Sequence, residues 1–264
     1  MNSTQTNPED PRQQARLRVK QRRAILALLT LAIVSLAAAT EASAQKGFSR
    51  KYPARKNVRL QLSNLFGTVT VETWNRDEIK VSADMYPPVA PFTPEQNGET
   101  LVINVKNESR GRGEVGDINF RITVPVNSSV DIETRRGNIT VRGVQGSMVR
   151  AKVYGSGEIE LSEIGASRVM AETITGNIFY DGRLVSGGKY EFETVKGDVT
   201  IRLPGDSAFS LMAAAPTTRK INLGMFANPG LNLGDGRKVY GNVGDGRCSL
   251  TILNQQGSIT LIRR

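Results

Sequence analysis

One short unit recurs along this chain: glycine, any residue, an aliphatic residue, any residue and, in most copies, a second aliphatic residue. It reads Gly67-Thr68-Val69-Thr70-Val71, Gly137-Asn138-Ile139-Thr140-Val141, Gly157-Glu158-Ile159-Glu160-Leu161, Gly176-Asn177-Ile178-Phe179-Tyr180, Gly197-Asp198-Val199-Thr200-Ile201 and Gly257-Ser258-Ile259-Thr260-Leu261. Between Gly137 and Gly197 it returns after 20, 19 and 21 residues, a spacing that chance does not keep. Each period also holds a second alternation: Val149, Ala151, Val153, then Val169, Ala171, Thr173, then Tyr190, Phe192, Thr194. Alternation of period two makes strands with one buried face, and glycine at the junctions permits corners. Two strands per repeat, stacked on the next repeat, predict an all-β chain: a β-solenoid of two-strand coils of about 20 residues around an aliphatic column.

In such a ladder the outward residues stack too. Lys152, Glu172 and Glu193 fall in register, as do Arg150, Met170 and Glu191, which reads as structural charge pairing. Ahead of the regular coils, strands are expected at Val58 to Leu62, Gly67 to Trp74, Ile79 to Met85, Leu101 to Val105 and Ile118 to Val124. A proline-rich loop (Tyr86 to Pro94) and a Gly/Arg loop (Ser109 to Gly113) separate them, and Pro204 to Arg247 is less regular. The expected organisation is thus a leader (1–44), a basic linker (45–57), an N-terminal strand region (58–124) and the repeat region (125–264), with a soft boundary near Pro125 and one continuous stack.

The leader has six bases between Arg12 and Arg23, an apolar run from Ala24 to Ala39, and Ala42-Ser43-Ala44, the three regions of a secretory signal peptide. Sixteen apolar residues fall short of the roughly 20 of a membrane-spanning helix, so cleavage after Ala44 is expected over retention as an anchor. No cysteine stands at that site for a lipid anchor, and the surroundings of Arg22-Arg23 fit twin-arginine export poorly. The mature chain would hold 29 bases against 22 acids. Six of the bases (Lys46, Arg50, Lys51, Arg55, Lys56, Arg59) crowd together with no acid among them. They read as a solvated leader before the first strand, with a tether to anionic lipid or glycan as the alternative. Nucleic acid is not expected, since aromatic and basic residues are not interleaved.

Among 264 residues there is no histidine and one cysteine, Cys248. Histidine-based triads, histidine-ligated zinc, thiolate clusters and intramolecular disulfides are excluded. Cys248 alternates with Leu250 and Ile252 and reads as buried. Gly234-Asp235-Gly236-Arg237 and Gly244-Asp245-Gly246-Arg247 repeat after ten residues. Asp235 and Asp245 could serve as a glycosidase pair, or with calcium as a lyase site, but Asp-Gly more simply makes two successive hairpin turns. Trp74, beside Asn75-Arg76-Asp77, reads as a core cover at a strand end, a sugar platform being the other reading. Phe179, beside Tyr180, and Met170 either form an outward apolar patch or are packed by loops. Arg263-Arg264 would place charge on the last coil. No catalytic residue, metal or cofactor is assigned.

Ile122-Thr123-Val124-Pro125, Val130 to Val141 and the units Thr173-Ile174-Thr175-Gly176-Asn177-Ile178 and Thr194-Val195-Lys196-Gly197-Asp198-Val199 resemble the bacterial "putative adhesin" family, a β-solenoid domain of unknown function. So does the ending, Gly244-Asp245-Gly246-Arg247 with Leu250-Thr251-Ile252 and Gly257-Ser258-Ile259. The resemblance runs from about Val58 to Ile262 and departs at Tyr154-Gly155-Ser156, where a widened corner is expected. It implies a fold and, by the family's name, surface adhesion; the matching residues are corner and core positions. The function expected is that of an exported, non-enzymatic envelope protein, adhesin-like or structural, periplasmic or at the surface, whose partner is a protein or glycan surface. A polysaccharide hydrolase or lyase and an envelope-stress sensor or scaffold are the alternatives. The mature chain should give a strand-dominated far-ultraviolet circular dichroism spectrum; a helical one would overturn the architecture.

Overall fold

The computed structural model describes residues 46–55, 57–105 and 115–264. The expected leader (1–44), Lys56 and the Gly/Arg loop lie outside them. Gln45–Arg264 forms a single compact unit. Its strands are β1 (Lys46–Pro53), β2 (Arg59–Phe66), β3 (Val69–Trp74), β4 (Glu78–Met85), the short β5 (Glu95–Asn97), β6 (Thr100–Asn104) and β7 (Ile118–Pro125). Then come β8 (Ser129–Arg136), β9 (Ile139–Arg142), β10 (Met148–Ser156), β11 (Ile159–Ile164), β12 (Arg168–Thr175), β13 (Ile178–Gly182), β14 (Lys189–Lys196) and β15 (Val199–Leu203). The remainder are β16 (Phe209–Ala214), β17 (Ile221–Asn222), β18 (Leu231–Gly234), β19 (Lys238–Val243), β20 (Ser249–Gln256) and β21 (Ile259–Arg263).

They build two large mixed sheets, ordered β1-β4-β7-β3-β9-β11-β13-β15-β21-β17 and β18-β19-β16-β20-β14-β12-β10-β8-β2-β6-β5. From β8 to β15 successive strands alternate between the sheets, and each pairs in parallel with the strand two places on. The register joins equivalent residues of the repeat: Val149 with Val169 and Tyr190, Ala151 with Ala171 and Phe192. Both sheets are continuous across Pro125, since β9 pairs with β3 and β8 with β2. Inward residues of the two sheets make one apolar core, its aromatic centre being Tyr180, Tyr190 and Phe192.

The sharp corners explain the glycines. Gly67, Gly137, Gly157, Gly176, Gly197 and Gly257 form a column in which a Cβ at each would strike backbone of the coil beneath, from Gly137 onward the carbonyl of the preceding glycine. At Gly176 the φ of +152° adds a conformation that side chains disfavour. The preceding threonine closes the contact: Thr173 Oγ1 donates to Gly157 O at 2.9 Å, and Thr194 Oγ1 to Gly176 O at 3.0 Å. Asn254 Nδ2 does the same for Gly197 O at 2.8 Å. Thr134, Thr173, Thr194, Asn64 and Asn254 are the buried polar residues of this column. Val153 interrupts it, one residue farther from its glycine, and there β10 carries a register shift between Val153 and Ser156, the widened corner expected at Gly155.

Three segments differ from expectation. Lys46–Pro53 is an antiparallel partner of β4 and not a solvated leader, because Phe48 and Tyr52 have apolar surface to cover. Lys51 pairs with Glu78 at 2.9 Å, Arg55 with Glu99 at 3.7 Å and Arg59 with Asp131 at 3.5 Å, so the acids missing from the local sequence are supplied by distant strands. The irregular stretch from Pro204 contains β16 to β19, of which β16 joins the stack beyond β20. The final coil, β20 and β21, sits on β14 and β15, so Arg263-Arg264 does not end the stack, β17 lying beyond β21. Gly176→Ala should cost about 3 kcal/mol, from the strained φ and the overlap with the coil below. A urea-denaturation midpoint equal to that of the wild type would refute the close approach.

Candidate functional site

The outward face of the eleven-stranded sheet carries three rows of side chains fixed by the register. The middle row holds Gln61, Asp131, Arg150, Met170, Glu191 and Thr251; the next holds Ser63, Glu133, Lys152, Glu172, Glu193 and Leu253. Arg150 bridges Asp131 at 3.1 Å and Glu133 at 2.7 Å, and Lys152 meets Glu172 at 2.7 Å. Partial burial works against the Arg150 charge, but the two carboxylates outweigh it and its pKa is raised. Such half-exposed pairs contribute about 0.2–1 kcal/mol each and discriminate against slipped registers.

The third row, at the first outward position of each strand, is different in kind: Arg59, Ser129, Met148, Arg168, Lys189 and Ser249. Beside it runs a groove made of two hollows of about 480 and 530 Å³ that share Ser129, Ser147 and Ser167. Arg59, Arg168 and Lys189 line it, Asn127 and Gln145 extend it, and among the described residues no acidic one contributes to either hollow. Lys189 leans to Glu191 at 2.7 Å and Arg59 to Asp131, whereas Arg168 enters no ion pair among the described residues. The groove wall is anchored from the core. The Tyr190 hydroxyl accepts from Val185 N at 2.6 Å and donates to Ala166 O at 3.0 Å, which ties together the adjoining loops before β12 and β14, both of which line the groove. Ser129 and Ser147 hydroxyls stand 2.9 Å apart, and Ser167 Oγ donates to Ser147 O at 3.2 Å. The sequence reading missed this row. Its signal was the polar or basic residue just ahead of each inward one, as in Ser129-Val130, Arg168-Val169 and Lys189-Tyr190.

The sequence candidates are scattered. Asp235 and Gly236, with φ of 51° and 62°, are the central residues of the tight turn in the three-residue connection between β18 and β19, where Arg237 N donates to Gly234 O at 3.1 Å. Asp245 lies at the other end of β19, paired with Arg247, in a turn that leads to β20 on the far side of β16. That second turn is therefore no hairpin. The length of β19, about 20 Å, separates the two aspartates, whereas a glycosidase pair needs about 5–9.5 Å. Among the described residues, no three cysteine or acidic side chains converge as a metal site requires.

Trp74 is half-buried, donates from Nε1 to Glu78 O at 2.8 Å and lies beneath Arg76, which covers one face of its ring, as a strand-end cover does. Phe179 and Met170 make no common patch: they stand on different sheets, Arg202 covers Phe179, and Tyr180 is buried. Cys248 is buried and donates to Ala208 O at 3.3 Å; burial first, and Asp245 second, push its thiol pKa up. Arg264 reaches back with Arg202 to the buried Asp181.

Comparison with solved structures shows the fold. The chain is similar to a "putative cell adhesion protein" from Clostridium sporogenes, with a TM-score of 0.51 and 12% identity over 83% of this chain and 100% of that one. A "putative adhesin" from Bacteroides fragilis aligns over 83% of this chain and 99% of its own, with 12% identity and a TM-score of 0.32. No protein-family model and no curated protein matches.

On the outer side of the glycine corner, the residue after Gly137, Gly176 and Gly197 receives the amide of the coil above. Asn138 Oδ1 accepts from Glu158 N at 2.9 Å, Asn177 Oδ1 from Asp198 N at 2.8 Å, and Asp198 Oδ1 from Ser258 N at 2.8 Å and Ser258 Oγ at 2.7 Å. The Ser258 hydroxyl, then its amide, lower the Asp198 pKa. A carboxyl held below its unfolded value stabilises the fold at pH above the ordinary aspartate range, and that contribution fades as pH falls through the folded value. Asp198→Asn keeps the acceptor and removes the titration. It should lose less stability than the wild type between pH 7 and pH 3; equal losses in urea melts at both pH values would refute the linkage.

Proposed function

We propose that this chain is an exported, non-enzymatic binding protein of the bacterial cell envelope. Its paired sheets wind as a β-solenoid that presents an extended face to a partner, as an adhesin-like or structural element. The observation that carries this reading is the in-register repetition of outward side chains along the eleven-stranded sheet, which offers a ladder of recurring contacts. Three further observations support it. The first 44 residues have the composition of a cleavable secretory signal. The fold is similar to that of a protein described as a "putative cell adhesion protein". The two aspartates of the hydrolase alternative stand about 20 Å apart. Among the described residues no helix is long and apolar enough to cross a membrane.

Protease treatment of intact and of permeabilised cells tests the location, with detection of the fragment that begins at Gln45. Digestion is expected in permeabilised cells at least, and digestion of intact cells would place the protein at the surface. Resistance in both, with the protein recovered in the cytosolic fraction, would overturn export. Release of reducing sugar from envelope polysaccharide by wild type, lost in Asp235→Asn/Asp245→Asn, would overturn the non-enzymatic assignment.

A further inference from the structure

We propose that the serine-lined groove at the strand starts of the eleven-stranded sheet binds an acidic polysaccharide, a chain of sugar rings that carries carboxylates. The proposal rests on the binding role inferred above and gives it a ligand class. Three features of the groove select that chemistry.

The first is charge. Arg59, Arg168 and Lys189 line the groove with no acid among the described lining residues, while acids of the same face stand in the two neighbouring rows. Arg168 has no carboxylate partner among the described residues, so a ligand anion would meet a guanidinium that has no ion pair to break. The second is spacing. Adjacent strands lie about 4.8 Å apart. Arg168 and Lys189 are therefore one step apart, and Arg59 is three steps from Arg168, about 14 Å along a straight line. A linear polymer of sugar rings advances by a comparable length per ring, so carboxylates on successive rings can meet cations on successive or more distant strands. The third is the floor. Ser129, Ser147 and Ser167 hydroxyls recur on neighbouring coils, each with donor and acceptor capacity suited to ring hydroxyls. The Tyr190 hydroxyl fixes two adjoining loops of the groove from the core, which holds that part of the groove in place before a ligand arrives.

Other anionic partners fit less well. A lipid surface calls for a broad apolar face that enters the headgroup layer, whereas this concave site is lined mainly by hydroxyls, amides and bases, with Met148 and Val185 as the apolar side chains among the described lining residues. Single-stranded nucleic acid calls for aromatic platforms, and the row Arg59 to Ser249 contains none.

The test uses polygalacturonate as the probe, with dextran as a neutral glycan and phosphatidylglycerol vesicles as an anionic membrane. The purified protein should bind polygalacturonate, less well as salt rises, and ignore dextran. Arg168→Ala/Lys189→Ala should weaken binding about tenfold or more, since each substitution removes a charge-assisted contact. Arg219→Ala/Lys238→Ala removes the same charge from exposed positions on other elements and should change binding little. Thermal melts of both double variants exclude loss of fold as the cause. Failure to bind polygalacturonate, equal weakening by both double variants, or binding to vesicles alone would overturn the groove assignment. Binding that survives Arg168→Ala/Lys189→Ala would overturn the groove and leave the broader binding role standing. Release of reducing sugar from polygalacturonate would instead overturn the non-enzymatic reading.

Discussion

The carbonyl oxygens of the corner glycines Gly157, Gly176 and Gly197 organise the regular coils of this protein. The next coil approaches each of them twice: the Cα of its own glycine packs against it, and the buried Thr173, Thr194 or Asn254 side chain three residues earlier donates a hydrogen bond to it. The two requirements reinforce each other. Without a Cβ the backbones come close enough for that donor to reach, and the donor satisfies an acceptor that the close approach has cut off from water. A buried polar column thereby fixes which coil sits on which, while the aliphatic column beside it supplies most of the driving force. Register is the product of that division of labour, and the charge rows outside inherit it.

The interior was largely legible in the sequence because its rules are periodic. Gly-x-aliphatic units and Thr-x-x-Gly spacing mark corners, and alternation marks the inward face, so the pairing of Val149, Val169 and Tyr190 could be read in advance. The departure at Tyr154-Gly155-Ser156 was legible for the same reason, since an extra residue in a strict repeat has to bulge. What is aperiodic was not legible. Strand β1 looked like a basic leader because its two core-facing aromatics are spaced four apart among charges, and its acid partner Glu78 comes from another strand. Phe179 and Met170 looked like neighbours because their alternation is visible in sequence while the sheet each belongs to is not. The groove at the strand starts depends on what five separate loops place together, and no local pattern encodes that convergence.

The ends of the stack are built differently from its middle. Parallel pairing dominates from β2 and β3 to β20 and β21, but antiparallel strands finish both sheets at the N-terminal side and one at the C-terminal side. On β1 the exposed residues include Lys46, Arg50 and Lys51, and β5 is only three residues long. Charge and shortness at an edge discourage further strands from adding to the open backbone. The basic segment thus has a structural use, which is to stop the sheet. The core supports the outer surface in a comparable way where Tyr190 reaches from the aromatic centre to hold the groove wall.

The placement of β20 and β21 between β14–β15 and β16–β17 sets the order in which the chain can finish itself. Coils through β15 can settle one upon another as they emerge from synthesis, but β16 then has only its hairpin-like partner β19 and no parallel neighbour. Its place in the stack exists only after Ser249 to Arg263 have arrived and docked on β14 and β15. The last coil is therefore a wedge that is also a bridge: a chain that stopped short of Ser249 would forfeit the attachment of everything after Leu203. It would also leave two parallel edges, β14 and β15, open to the first strand that drifts past.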